Sequence, residues 1–349
     1  MKQILLIAAV FVLFFEKNTA QIVGGRQTFQ FLNLPNSARI SALGGLQVAV
    51  QDDDPGFAWT NPATLNPSMS GRLTFNHHFH LSDLQNGYFG YAQNLKKYHL
   101  TTHLGVQYMH YGAVKMADEY GNVNGELMPS ETALTLGAGY RLYEKVTLGA
   151  NLKYAQSNFD FANSSAILGD LAALYADTAS GWTMAAVFKN IGGQVNFYGE
   201  KREPMPFDIQ LGVSKKLKHL PFRLSVTAHH LYKRDIRYDD PALQADDSGL
   251  FGEQTKDSKF KTGADNLFRH LNFGGEFLFG KKENFRLRFG YNHLRHQEMT
   301  VPNLRSLAGF SGGFGLKISR IRVDFGYSAW HLAGSSVHFG VSTNLGEFF

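Results

Sequence analysis

The feature that most constrains this chain is an alternation of period two that recurs about fourteen times between Gly71 and Phe349. Its last instance is the plainest. Val337, Phe339, Val341, Thr343 and Leu345 alternate with His338, Gly340, Ser342 and Asn344. Successive side chains of a strand point to opposite faces, so one face is apolar or β-branched and the other small or polar. Leu100, Thr102, Leu104, Val106 and Tyr108 repeat the pattern. So do Val146, Leu148, Ala150, Leu152 and Tyr154, and again Phe285, Leu287, Phe289 and Tyr291.

The connections separate a barrel from a sandwich better than the strands do. Every even-numbered connection is short: 96–98, 143–144, 177–180, 215–221, 280–284 and 319–320. The odd-numbered ones can be long, as at 113–129, 193–204, 235–267 and 297–306. Greek-key connections of a sandwich have no reason to keep this parity, whereas short turns at one end and longer loops at the other suit an outer-membrane barrel. Composition agrees. Only 18% of residues are charged, while Gly (36), Phe (29) and Tyr (15) are abundant, as aromatic girdles and turn glycines require. The expected fold is all-β, a transmembrane antiparallel β-barrel of about fourteen strands.

The N-terminus reads as an export signal. A basic start at Lys2 precedes an apolar run from Ile4 to Phe15 and a polar exit ending at Ala20. The run is too short to span a bilayer comfortably, and no later stretch reaches eighteen apolar residues. An exported chain without an apolar helix enters a membrane only as a closed barrel, because lipid leaves no partner for an open strand edge. The expected division is residues 1–20 signal peptide, 21–70 an N-terminal plug segment and 71–349 the barrel. Both the plug and the C-terminus should face the periplasm of a Gram-negative cell, with Phe349 as the assembly signal of the closing strand. There is no cysteine, which excludes a disulfide scaffold, a thiol nucleophile and a lipidated anchor. No basic cluster accompanies a nucleic-acid motif.

About fourteen strands enclose a lumen too wide for wall side chains to fill. Residues 21–70 break the alternation and are the natural filler. They contain Gly44-Gly45, Asp52-Asp53-Asp54-Pro55 and Asn61-Pro62, which suggest a compact, mostly irregular segment with one short helix. The triple aspartate reads as a solvated turn or a helix cap rather than a ligand site. Inward positions include Thr101, His103, Gln107, Asn151, Lys153 and Gln210, with Ser214, Arg286, Arg288, Asn292 and Asp324. A polar network holding a plug fits that set better than an open porin, since buried polar groups need partners.

Catalytic and metal readings find little support. Of the fourteen histidines, His77-His78-x-His80 and His229-His230 are the densest. On a strand His78 and His80 share a face that His77 does not, and no carboxylate lies near either group in sequence, so no metal site is expected. Gly44-Gly45, Gly192-Gly193 and Gly312-Gly313 lack the helix and lysine of a phosphate loop. No catalytic residue and no cofactor is expected, and the chain is read as a non-enzyme.

Residues 24–65 carry a more specific signal. Ala42-Leu43-Gly44-Gly45, then Asp52-Asp53, then Asn61-Pro62-Ala63-Thr64-Leu65 resemble the N-terminal plug of the long-chain fatty-acid transporter family of outer-membrane barrels. Gly24-Gly25, Phe31 to Pro35 and Ala38-Arg39 are closer to its PorV/PorQ branch, which belongs to the type IX secretion system of Bacteroidetes. That resemblance implies a barrel that anchors a cell-surface attachment complex with PorV-like proteins, the surface protein PorZ and the sortase PorU. Its outer loops would then bind the partner. Tyr120 in 113–129, and Asp239, Asp240, Phe251, Phe260 and Phe268 in or beside the acidic 235–267 stretch, are the candidates. The wider family implies a transporter for hydrophobic small molecules such as long-chain fatty acids, although the outer loops hold no evident apolar cluster.

Overall fold

The computed structural model describes residues 27–80, 82–159, 162–237, 259–280, 282–300 and 304–348. The signal sequence, Asp239, Asp240, Phe251 and Phe349 lie outside the described residues. Strands β1 (Arg72–Phe79), β2 (Gln85–Leu95) and β3 (Leu100–His110) are followed by a separate hairpin, β4 (Val114–Ala117) and β5 (Val123–Leu127). Then come β6 (Ser130–Tyr143), β7 (Val146–Phe159), β8 (Ala162–Asp177), β9 (Trp182–Asn196), β10 (Asp208–Lys216) and β11 (Phe222–Ala228). The chain continues through β12 (Leu271–Phe279), β13 (Phe285–Asn292), β14 (Phe310–Ile318), β15 (Ile321–His331) and β16 (Gly334–Asn344). Fourteen of these, all but β4 and β5, close into one antiparallel barrel.

The seam is the β1–β16 pair, in register from Arg72↔Asn344 through His78↔His338 to Phe79↔Val337. Every described strand of the barrel is therefore paired on both sides, which leaves the closed sheet without an edge. The parity of the connections holds: those between β2 and β3, β6 and β7, and β14 and β15 are brief, while residues 229–270 separate β11 from β12. We call the two ends the short-turn end and the long-loop end. Along β7, Leu148, Leu152 and Tyr154 face out and are exposed, while Thr147, Asn151 and Lys153 face in and are buried. The outward set makes an apolar surface and the inward set a polar lining. All eleven inward positions read from the alternation are buried.

Three details differ from the sequence reading. The last strand stops at Asn344, because its side chain accepts the Gly346 N–H and Leu345 to Glu347 turn away as a short 3-10 helix. The long connection 113–129 contains the β4–β5 hairpin, which the alternation did not mark, and the C-terminal part of the acidic loop is a helix (Lys259–Arg269). Gly193 belongs to β9 rather than to a loop, paired with Ile167 next to the register shift between Gln194 and Asn196.

Residues 27–70 lie against the inward face. They form two short helices, α1 (Ala38–Ala42) and α2 (Phe57–Thr60), and 3-10 turns at 30–33, 62–64 and 67–69. The acidic-loop helix is then α3 (Lys259–Arg269), and α4 (His293–Met299) follows β13. Ser37 caps α1 by accepting the Ile40 N–H, and Gly44 and Gly45, at φ +94° and +91°, end it. Gly45 donates to the Ile40 carbonyl and Gly44 to that of Ser41, a closure that needs the left-handed backbone. Close approach to the wall depends on inward glycines. A Cβ on Gly149 would stand 2.2 Å from the Ala63 nitrogen, and one on Gly290 2.1 Å from the Gly44 nitrogen. The interior is also more apolar than a purely polar network would be. Phe31, Leu32 and Trp59 pack with Tyr88, Met109 and Leu168, and Val48, Ala49 and Ala63 with Leu174 and Val187.

Candidate functional site: the barrel interior

The interior has two parts, a charge cluster near the short-turn end and an apolar cavity near the long-loop end. Asp52, Asp53 and Asp54 are not a solvated turn. Asp52 Oδ2 lies 2.6 Å from Arg39 Nη2 and 3.3 Å from Arg223 Nη1, and Asp54 Oδ2 lies 3.3 Å from Arg39 Nη1. Asp53 meets Arg72 at 2.7 Å and Arg322 at 3.1 Å. Glu276 on β12 takes Arg39 at 2.9 Å and Arg288 at 2.8 Å, and Arg288 reaches Asp324 at 2.6 Å. The aspartates of one turn are thereby tied to β1, β11 and β15, and Arg39 of α1 to β12.

Burial opposes the charge on Asp52, but Arg39, Arg286 and Arg223 outweigh it and hold its carboxyl well below the ordinary range. For Asp53, burial and the neighbouring Asp52 raise the pKa, and Arg322, Arg72 and Arg286 more than reverse this, leaving it lowered. Asp54 goes the other way. Burial pushes it up, Arg39 only partly counters, and Asp52 adds to the rise. Arg39 is held above its ordinary pKa because Asp52, Glu276 and Asp54 overcome its burial.

Neutral hydrogen bonds continue the attachment along the segment. The Asn76 side chain accepts from Ala38 N (3.1 Å), and Gln107 donates to the Phe31 carbonyl (3.0 Å). Asn151 donates to Ala58 O (3.1 Å), Ser214 to Ala49 O (2.6 Å) and Asn272 to Leu46 O (2.7 Å). Asn61 accepts the Ala63 N–H (2.8 Å) and donates to Val48 O (2.6 Å), so Asn61-Pro62 bridges two stretches of the segment. A second buried ion pair, Lys153 to Asp170 at 2.7 Å, sits with the Lys153 ammonium 5.0 Å from the Trp59 ring centre.

Near the long-loop end, Leu34 of the segment faces His80, Leu84, Met109, Trp330 and Ser336 across a cavity of about 200 Å³. Its lining comes from the ends of β1, β3, β15 and β16, where the strands run out towards the loops. Arg295 stacks on Trp330, 4.0 Å from the ring centre. His78 and His338, one on each side of the seam, have ring centres 4.1 Å apart behind His80.

Of the partner-binding candidates among the described residues, Tyr120 lies on the β4–β5 hairpin and Phe260 and Phe268 lie on α3. Tyr120 is exposed at the tip of the β4–β5 hairpin and Phe260 is exposed on α3. Phe268 is also exposed and lies beside Phe273 and His293, with ring centres 6.4 and 6.0 Å away. The sequence reading missed Arg39, Arg223, Glu276 and Arg322. The last three sit on the inward parity of their strands, the signal by which Arg286, Arg288 and Asp324 were found.

No protein-family model matches the chain, and no curated protein matches it by sequence. Solved structures do. The toluene transporter TbuX of Ralstonia pickettii aligns over 89% of this chain and 99% of its own, with 12% identity and a TM-score of 0.53. The monoaromatic hydrocarbon channel CymD aligns over 89% and 96%, with 14% identity and a TM-score of 0.52. A Pseudomonas aeruginosa FadL homologue aligns over 88% and 98%, with 10% identity and a TM-score of 0.50. The fold is that of FadL-type outer-membrane barrels. At these identities the likeness extends to the fold and stops there.

Proposed function

We propose that this protein is an outer-membrane barrel that takes up a small hydrophobic molecule at its long-loop end, with residues 27–70 as the plug. The cavity between Leu34 and Trp330 carries this reading. It is apolar, about 200 Å³ in volume, and bounded on one side by the segment itself. Small-molecule sites are concave and mostly apolar, with a few polar groups to orient the ligand. His80 and Ser336 are those groups here. The similar folds include a toluene transporter and a monoaromatic hydrocarbon channel, and a single ring suits a cavity of this size. In this arrangement the short turns face the periplasm, and the charge cluster closes the lumen beneath the cavity.

The test is ligand binding to the purified barrel in detergent, followed by the fluorescence of Trp330 in a Trp59→Phe/Trp182→Phe background. A saturable change with toluene, and none with a polar solute of equal size, is the expected result. No change with toluene or with a fatty acid would reject the reading.

A second reading is a docking barrel of the type IX secretion system, contacting PorZ, PorU and PorV-like proteins. The resemblance of residues 24–65 supports it, as does the β4–β5 hairpin, whose exposed Val114, Tyr120 and Val123 could meet a rigid partner. Co-purification of a surface protein from native membranes, lost on deleting 113–129, would favour it. Recovery of the barrel alone with bound hydrophobic ligand would favour uptake.

A further inference from the structure

We propose that Asp208, His229 and His230 form a binding site for a divalent transition-metal ion, of which zinc is the natural probe, at the long-loop end of the β10–β11 pair. Asp208 opens β10, and the two histidines directly follow β11. One ligand atom from each of the three lies within 4.8 Å of the other two. Asp208 and His229 are buried and His230 is half-buried, so the group is enclosed rather than a chance surface cluster.

Hydrogen bonding leaves the two rings poorly accounted for. A neutral imidazole carries one donor and one acceptor. His229 Nδ1 faces His230 Nδ1 at 2.5 Å, and His229 Nε2 has no partner among the described residues although the ring is buried. Buried polar atoms normally find partners, and an exception needs an explanation. The exception here is His229 Nε2, while the two Nδ1 atoms share one hydrogen bond beside the Asp208 carboxylate. A cation between the Nδ1 atoms would replace that shared proton and take both lone pairs, each neutral ring then carrying its hydrogen on Nε2. Two nitrogen ligands on a tetrahedral zinc ion stand about 3.3 Å apart, so metal entry requires a small outward rotation of one ring.

The carboxylate is already positioned. Asp208 Oδ1 accepts the His230 backbone N–H at 2.7 Å, and Gln210 Nε2 donates to Oδ2 at 2.7 Å. Ligating carboxylates are commonly held by such outer bonds. On the other side, the His229 N–H donates to the His270 carbonyl (2.9 Å), and the His229 carbonyl lies 2.8 Å from His270 Nδ1. Lys189, opposite Asp208 in the β9–β10 register, donates to the Leu32 carbonyl at 3.4 Å and is the cation that already faces the Asp208 carboxylate. Two imidazoles and one carboxylate suit zinc, nickel, cobalt or copper, whereas calcium and magnesium prefer all-oxygen sets. Three protein ligands leave the fourth position to water or to a further ligand. The bound ion would clip the start of β10 to the chain leaving β11, and so stiffen the rim from which the longest loop departs.

The test is calorimetric titration of the full chain, purified in detergent and stripped with EDTA, using zinc chloride alone. One equivalent should bind. His230→Ala should weaken binding at least tenfold, and Asp208→Asn, whose amide oxygen still accepts the His230 N–H, should do the same in a barrel that remains folded by heat-modifiable gel mobility. His110→Ala, at an exposed histidine of β3, should bind as the parent does. Failure of the parent to bind near one equivalent, or unchanged affinity in folded Asp208→Asn, would overturn the proposal.

Discussion

Arg39 and Glu276 meet through two parallel hydrogen bonds, Nε to Oε1 at 3.0 Å and Nη2 to Oε2 at 2.9 Å, across 237 positions of sequence. Both side chains are buried. A guanidinium and a carboxylate in this fork are geometrically specific as well as charged. The pair joins the first helix of the N-terminal segment to the wall. Arg223 and Arg288 complete the surroundings of Glu276, at 3.1 and 2.8 Å.

Glu276→Gln keeps the shape and removes the charge facing three arginines. Breaking a buried pair from one side leaves the other charge uncompensated, at a cost of about 3–5 kcal/mol. The guanidinium unfolding midpoint of the detergent-solubilised barrel should fall accordingly. An unchanged midpoint would mean that the cluster contributes little to stability.

The pH dependence follows from the direction of each shift. Asp52 and Asp53 have lowered folded values, so their contribution is complete above the ordinary carboxylate pKa of about 3.9 and is lost as pH falls through the lower folded values. Asp54 is raised, so its charge is a cost that protonation relieves as pH drops. Protease protection of residues 27–70 should therefore persist from pH 8 to about 4 and fail only below it. Asp54→Asn should stabilise the barrel at neutral pH, measured by thermal unfolding at pH 7.

Gly149→Leu places side-chain atoms where Ala63 now lies, the nearest contact of a bare Cβ being already 2.2 Å. Overpacking of this kind typically costs about 1–3 kcal/mol, and here it should displace the segment from the wall. Ala150→Leu, one residue along and exposed on the outer face, should be neutral. Planar-bilayer conductance should rise for the first variant and not for the second.

Leu84→Trp fills the proposed ligand cavity from a residue just before β2, outside the sheet. Toluene binding should be abolished while thermal unfolding is unchanged. Retained binding would place the ligand elsewhere.

The sequence by itself determined the barrel. A period of two sets which side chains face lipid and which face the lumen, and the alternation of short and long connections sets the up-and-down order. Both are local properties, legible at Leu148, Asn151 and Leu152 without any partner strand. The contents of the lumen are not local. Asp52, Asp53 and Asp54 looked like a solvated turn because the arginines at 72, 223, 286 and 322 that receive Asp52 and Asp53 sit on barrel strands, and Arg39 meets Asp52 and Asp54 only when the segment folds back on itself. His229-His230 looked like a pair without a carboxylate because Asp208 arrives through the pairing of β10 with β11, not through proximity in sequence. The cavity beside Trp330 likewise exists only where Leu34 is laid against the ends of strands that closure brings together. Closing the barrel decides which inward side chains meet, and only the tertiary structure performs that closure.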